Sequence, residues 1–321
     1  MPDLYVGVDV GGTSIKFAVA GAEGQVLKEG SIPTESHLGP EAVLARIAHY
    51  AQSLTEGLGG GRIVALGMGL PGLVDSRLGI ARYLPNMMSH WKNVPVANIL
   101  EPQLGCKVRL LNDVRMATYG ELCYGLGKAA QTMVFIAIGT GIGGGLVIDG
   151  KLRLGPLGAA GEIGHQTVDP TGPLCGCGNH GCLETMASGT ALAAEGIRLM
   201  LMGMAPALHQ AAGGDPGKVT VELMGSVAEE DEPVRQAIQY AGFYLAIGIS
   251  NLVVAIHPEL IVIGGGVANL GDLLLDRIKE DVRARVGRLF PVDDISIETT
   301  QLGSRAGVLG AISLAIRGLP T

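Results

Sequence analysis

The sequence predicts a duplicated α/β fold with a ligand cleft between its halves, and three observations carry that expectation. An apolar strand, a glycine turn and a second strand occur together twice, over residues 4–20 and 132–152. Each of these units is followed by segments of alternating strand-like and helix-like hydrophobic spacing, the pattern of an α/β sheet. The 51 glycines gather at a few strand-to-loop junctions instead of spreading as low complexity. A chain of 321 residues, 47% of them apolar, has the material for two cores.

The elements follow in order. LYVGVDVGG (4–12) is a β-branched apolar run ending in paired glycines, read as a buried strand. SIKFAVAGAEGQVLKEGSIPT continues it as a hairpin turning at Gly21–Gly24. Residues 39–58 have helical spacing and stop at a glycine-rich segment. IVALGMGLPGLVD (63–75) is a second buried strand, broken at Pro71–Gly72. A short helix, a strand at 107–111 and a helix starting near Asp113 complete the first cycle. The second opens with TMVFIAIGTGIGGGLVIDGKL, helices dominate from about 184 to 256, and 258–286 reads as strand, triple-glycine turn and amphipathic helix. The chain closes with a strand near 295–299 and the helix AGVLGAISLAIRGL. The expected division is a small domain, 1–115 with the helix 304–321 folded back onto it, and a large domain, 116–303.

Composition narrows the function classes. A net charge of −7 argues against a nucleic-acid partner, which needs a basic stripe. No run approaches the roughly eighteen apolar residues of a membrane span. MPDLYVGVDVGG lacks the basic and apolar regions of a signal peptide, so the expected compartment is the cytoplasm, where thiols stay reduced. Of five cysteines, Cys106 and Cys123 stand alone and read as small buried hydrophobes.

Three glycine turns point to a phosphate-bearing ligand. In DVGGTSIK (9–16), Gly11 and Gly12 let the backbone lie against a phosphate and offer N–H donors without Cβ interference. Thr13 adds a hydroxyl, Lys16 reaches for an anion, and Asp9 would face a metal-bound water; an ordinary hairpin turn is the competing reading. In IGTGIGGGLVIDGK, Gly139, Gly141 and Gly144 match G-x-G-x-x-G, but a strand follows instead of the helix a dinucleotide site needs. A Walker loop fails too, because no Gly-Lys-Ser/Thr follows. What remains is a second phosphate hairpin at Gly139, Thr140 and Gly141. GGGVAN (264–269) places Gly265 and Gly266 where an adenosine or ribose can approach, or simply makes a tight strand–helix turn. Together the three describe a nucleotide held between two halves, a plan that resembles the actin/hexokinase-like (ribonuclease H-like) ATPase fold.

Polar residues gather near these turns. LLNDVRMAT ends a strand with Asn112 and Asp113, where Asp113 is either a helix N-cap or a general base for a substrate hydroxyl. GEIGHQTVD sets Glu162 three residues before His165, and Glu184 closely follows the last of a cysteine group, Cys175-x-Cys177-x4-Cys182. A disulfide is out of place in a reducing compartment, and a redox pair would show C-x-x-C. Three thiolates and one histidine suit tetrahedral zinc. His180 and His165 compete as fourth ligand; His180 sits in a tight turn between two ligands, so His165 is preferred. Four protein ligands leave no open position, which makes the zinc structural.

DVGGTSIK, LLNDVRMAT, IGTGIGGGLVIDGKLRLGPLGAAGEIGH and CGCGNHGCLE, spread over essentially the whole chain, resemble the ROK family of sugar kinases and related repressors. The resemblance implies an ATP-dependent hexose kinase of the glucokinase kind, using Mg²⁺ and one structural Zn²⁺. Asp113 would be the catalytic base. Asn112, Asp113, Glu162, His165 and Glu184 would bind the sugar, with Gly72 a less firm match. Asp9, Gly11, Gly12, Thr13, Lys16, Gly139, Thr140, Gly141, Gly265 and Gly266 would bind the nucleotide, and His165, Cys175, Cys177 and Cys182 the zinc. An N-acetylhexosamine, mannose or fructose substrate, or polyphosphate as donor, stays open; Glu162 in GEIGH looks more like glucose-type members. Family repressors carry a helix-turn-helix before the first phosphate motif, which here starts at Asp9, so the catalytic reading is expected over a sensor. Family members are commonly dimers or tetramers, so a homo-oligomer is expected.

Overall fold

The computed structural model describes residues 2–85, 87–88, 91–288 and 291–319. In chain order the elements are β1 (Asp3–Val10), β2 (Ser14–Ala20), β3 (Val26–Pro33), α1 (Pro40–Thr55), β4 (Arg62–Leu70), β5 (Leu73–Asp75), β6 (Ile80–Tyr83), β7 (Lys92–Val94), α2 (Val96–Leu104), β8 (Lys107–Asn112) and α3 (Asp113–Tyr124). There follow β9 (Met133–Ile138), β10 (Ile142–Ile148), β11 (Lys151–Arg153), α4 (Leu183–Ala187), α5 (Gly189–Leu201), α6 (Pro206–Ala211), α7 (Val221–Val227), α8 (Glu232–Ile256), β12 (Leu260–Gly264), α9 (Asp272–Val286), β13 (Ser296–Thr299) and α10 (Ala306–Arg317).

The chain forms two compact units: Met1–Ala129 with Leu146–Ala160 and Gln301–Thr321, and Ala130–Gly145 with Gly161–Thr300. The first therefore extends beyond the expected boundary at residue 115 to take in the whole of α3, and it also holds 146–160, outside the expected range of the small domain. The reason is packing: α3 lies along α10, the helix expected to fold back.

Unit 1 is built on a five-stranded sheet of order β3-β2-β1-β4-β8. β1–β2 and β2–β3 are antiparallel, while β1–β4 and β4–β8 are parallel. Side chains alternate across a strand, and β1 uses both faces. Leu4, Val6, Val8 and Val10 point into a core shared with Val43, Leu44 and Ile47 of α1 and Leu100 of α2. Gly7 lies on the other face, where a Cβ would meet Val308 O at 2.5 Å. Asp9 shares that face by the same two-residue period.

Glycines bring α10 down onto this second face. A Cβ on Gly67 of β4 would strike the Ala311 carbonyl, one on Gly120 of α3 the Ala306 carbonyl, and one on Gly310 of α10 the Met116 carbonyl. Backbone lies on backbone there, with no flexible side chain to yield. Gly310→Ala is therefore expected to destabilise the protein by about 3 kcal/mol, the upper range for overpacking a core. The check is a chemical melt; an unchanged midpoint would show that α10 can lift without loss.

Pro71–Gly72 opens a small antiparallel sheet, β5-β6-β7, that the sequence did not signal because its strands are so short. It adjoins Trp91, the chain's single tryptophan, which is fully buried. In unit 2, β9 pairs in parallel with β12, and β12 with β13, while β10 folds back beside β9. Contrary to the expectation that no segment approaches a membrane span, α8, alone among the described helices, is long and apolar enough by length and composition to cross one, because the residues that interrupt its apolar run are uncharged. It packs on α9, α4 and α5, with Leu245, Ala246 and Ile249 fully buried, as the core helix of this unit. Cys106 and Cys123 are only half-buried at the margins of their cores, a correction to the expectation of buried thiols. Cys106 lies in the bend just before β8, and Cys123 in the last turn of α3.

Candidate active site

In an open α/β sheet, ligands bind beyond the carboxyl ends of the parallel strands. The β1–β4–β8 register brings three expected residues to that edge in unit 1. Asp9 pairs with Gly69, and Leu70 pairs with Asn112, so Asp9, the Pro71–Gly72 turn and Asn112–Asp113 line up along it.

Asn112, not Asp113, caps α3. Its Oδ1 accepts from Val114 N at 3.0 Å and Arg115 N at 3.2 Å, satisfying donors that a helix start leaves unpaired. Its Nδ2 donates to Gly72 O at 3.0 Å. Gly72 has φ +100°, and a Cβ there would meet Tyr83 O at 2.5 Å, so only glycine turns this carbonyl toward Asn112. Asp113 is thus relieved of capping and sits in the first turn of α3, where the helix dipole favours a carboxylate.

Asp9 is half-buried, and its carboxyl is pushed up to about 6. Burial is the main cause and the negative charge of Asp113 adds to it, with the Lys16 ammonium pulling the other way. Gly307, in the first turn of α10, makes room for this carboxylate: a Cβ would lie 2.5 Å from Asp9 Oδ2. Lys16 Nζ donates to Ser304 O at 2.9 Å. The Gly11–Thr13 turn is held from beneath by fully buried Thr34, whose Oγ1 donates to Gly11 O at 2.7 Å and whose N–H donates to Thr13 O at 2.9 Å. A Cβ on Gly12 would meet nothing within 4 Å, so that backbone is open to a ligand.

Unit 2 carries the other two glycine turns together. Gly265, at φ +86°, packs against Ile138, whose carbonyl a Cβ would strike, so this turn sits directly beside the end of β9. Between β9 and β10, Gly139 N donates to Gly141 O at 2.9 Å, Gly139 O accepts from Gly189 N at 2.8 Å, and Thr140 O accepts from Thr190 Oγ1 at 2.8 Å. Glu184 Oε2 accepts from Ile142 N at 2.9 Å. Among the described residues, the Thr140 and Gly141 N–H groups have no partner, which leaves two adjacent donors for an anion. A groove of about 370 Å³ adjoins Gly266, lined by Glu222, Arg235 and Asn269 among others, wide enough for a nucleobase.

His165, Cys175, Cys177 and Cys182 offer ligand atoms that all lie within 4.8 Å of one another. The Cys175 Sγ–His165 Nδ1 and Cys177 Sγ–Cys182 Sγ separations are both 3.7 Å. A tetrahedron with Zn–S bonds of about 2.3 Å has edges of about 3.8 Å, so the cluster fits zinc. With Nδ1 on this side, Nε2 lies across the ring from the thiols. His180 turns elsewhere, its Nδ1 lying 3.2 Å from Gly172 O. Burial pushes the Cys182 thiol up, whereas Asn179's backbone N–H holds the exposed Cys177 thiol down. A metal would have to displace the Cys182 proton, so its affinity should rise with pH. Cys177 is exposed, so Cys177→Ser tests ligation without opening a core cavity. We expect about one equivalent of zinc in the purified protein, lost in Cys177→Ser. The variant's Tm should fall by several degrees, at roughly 2–4 °C per kcal/mol. Zinc-free protein of unchanged Tm would refute a structural metal.

Sequence reasoning missed Thr34, Arg115, Thr190 and Gly307. Arg115 is almost fully buried; its Nη1 donates to Asn112 Oδ1 at 3.1 Å and its Nη2 to Ala160 O at 2.9 Å. Only Gly307 had a signal, the small residues at 307 and 310 on one helix face.

Residues 5–318 match the sequence profile of the ROK family. The glucokinase of Streptomyces coelicolor is 35% identical over 321 residues, covering 97% of each chain. A crystal structure of a ROK family glucokinase from Streptomyces griseus, in complex with glucose and AMPPNP, superposes with a TM-score of 0.83 at 31% identity, covering 98% of this chain and 100% of that one. The xylose repressor of Bacillus spizizenii is 28% identical, and the match covers 97% of this chain and 76% of the repressor. The duplicated α/β fold is that of the ROK kinases.

Proposed function

Because the chain belongs to the ROK family, we propose that it is an ATP-dependent sugar kinase whose substrate is glucose, phosphorylated at the 6-hydroxyl. The observation that carries this reading is the division of labour at the start of α3. Asn112 takes the cap, and Asp113 stands beside it in the first turn of α3, which supports reading its carboxylate as the base. Similarity to the S. coelicolor and S. griseus glucokinases supports the substrate.

In this reading Asp113 accepts the 6-hydroxyl proton as that oxygen attacks the γ-phosphorus in line and the bond to the β–γ bridging oxygen breaks, releasing ADP. Asn112 contributes its second amide hydrogen to the sugar, its oxygen being fixed by the helix start. His165 presents Nε2 to the sugar, and Glu162 and Glu184 supply carboxylates. The Gly11–Thr13 and Gly139–Gly141 turns receive phosphate oxygens on backbone N–H groups, and the Gly265–Gly266 turn with its groove takes the adenosine. Mg²⁺, bound with the nucleotide, would supply positive charge against the negative charge that develops as the phosphoryl group is transferred. Asp9 would hold its water shell. Zn²⁺ would be held by His165, Cys175, Cys177 and Cys182 and would order the loop that carries His165.

Steady-state ADP release with glucose tests the proposal, with 6-deoxyglucose as the control that binds but has no hydroxyl to attack. Turnover with glucose and none with 6-deoxyglucose is expected. ADP release from both at equal rates would mean that water, not the 6-hydroxyl, is the acceptor. Repressors match nearly the whole chain too, so a sugar sensor without turnover is the contrasting reading; glucose binding without ADP release would favour it.

A further inference from the structure

The unexpected feature of unit 2 is where the Glu184 carboxylate goes. It follows the knuckle cysteine Cys182 by two residues on the short helix α4, which is anchored in turn by fully buried Leu183. A Cβ on Gly248 of α8 would lie 2.8 Å from Leu183 Cδ2, so Leu183 is seated on the core helix without slack. From this fixed base, Glu184 Oε2 reaches the β9–β10 turn and accepts from Ile142 N at 2.9 Å. The same oxygen fills the space that a Cβ on Gly141 would need. Gly189 N and Thr190 Oγ1, at the start of α5, take two of that turn's three carbonyls, Gly139 O and Thr140 O, the third, Gly141 O, accepting from Gly139 N. With those two carbonyls and the Ile142 N–H committed to α4 and α5, the Thr140 and Gly141 N–H groups are the donors left for a ligand.

We propose that Glu184 is a positioning residue of the nucleotide site. By holding the Ile142 N–H it orients the Gly139–Gly141 turn, so that Thr140 and Gly141 present their N–H groups to phosphate. Nucleotide affinity then depends on Glu184 even with no sugar present. The inference rests on the reading of this turn as a phosphate site.

The test is calorimetric binding of AMP-PNP with Mg²⁺ in the absence of sugar. Glu184→Ala is expected to weaken binding about tenfold, the scale of losing one hydrogen bond to a charged group. Glu184→Gln, whose amide oxygen accepts from the same N–H, should restore most of that loss. Thr190→Val, at an exposed site, removes only the bond to Thr140 O, should fold normally, and should weaken binding by about fivefold. Wild-type affinity in both Glu184→Ala and Thr190→Val, with sugar affinity alone reduced in the former, would overturn the inference and leave the kinase reading intact. If Glu184→Ala does not fold, Thr190→Val decides alone: unchanged affinity overturns the proposal. A wild-type protein that binds no nucleotide would overturn the phosphate reading and the inference with it.

Discussion

Asp113→Asn is expected to lower kcat with glucose by about 10²–10⁴-fold, the range attributable to one positioned general base. Sugar binding and Tm should change little, for structural reasons that separate this residue from its neighbour. The cap of α3 is Asn112, whose Oδ1 receives the Val114 and Arg115 N–H groups, so the helix start does not depend on the Asp113 charge. Asparagine at 113 keeps the size and an oxygen at the position where Asp113 Oδ1 lies 2.9 Å from Val114 N. What it loses is the capacity to take a proton. Asn112→Ala should behave in the opposite way. It removes the cap and the contact to Gly72 O, so it should cost about 1 kcal/mol of stability along with activity.

Asp9→Asn is expected to stabilise the free protein while reducing kcat by about 100-fold or more, the scale of losing one electrostatic partner of the transition state. The carboxyl binds its proton more tightly in the fold, at about 6, than in the unfolded chain, at 3.8. Between these values the folded state holds more protons than the unfolded state, so stability falls as pH rises through that window. Above about pH 6 the penalty is complete and amounts to about 3 kcal/mol, at 1.36 kcal/mol per pH unit of displacement. Asparagine removes this penalty. The variant should therefore show a raised Tm at pH 7, and the difference from wild type should shrink toward pH 4. A Tm at pH 7 that is equal to or below that of wild type would mean the Asp9 charge is not held at a cost. In the proposed reading a bound Mg²⁺ would offset this unfavourable charge by electrostatic attraction.

Much of this was legible in the sequence, and the reasons are local. Paired glycines after β-branched runs fixed the three turns, since backbone that must approach a phosphate or another backbone leaves no room for a Cβ. Gly265, packed against Ile138, is the clearest instance. The spacing of Cys175, Cys177 and Cys182 pointed to a candidate metal site, and the fold brings His165 to the same cluster. The unreadable parts depend on contacts between distant segments made by ordinary residues. Thr34 supports the Gly11–Thr13 turn through a hydroxyl and an N–H that any threonine possesses. Arg115 looks like one more helical arginine until the fold buries it against Asn112 and Ala160. Cys106 and Cys123 failed as buried thiols because apolar neighbours in sequence do not say which side of an element meets the core. The β5-β6-β7 sheet escaped notice because β5 and β7 are three residues long, too short for a two-residue period to register.

The proposed reaction is phosphorylation of a hexose with Asp113 as base. Its most direct test is ADP release on a panel of glucose, N-acetylglucosamine, N-acetylmannosamine, mannose and fructose with MgATP, run side by side for wild type and Asp113→Asn. The highest kcat/KM is expected with glucose, and it should collapse in the variant. No sugar-dependent ADP release, or equal rates in the two proteins, would contradict it.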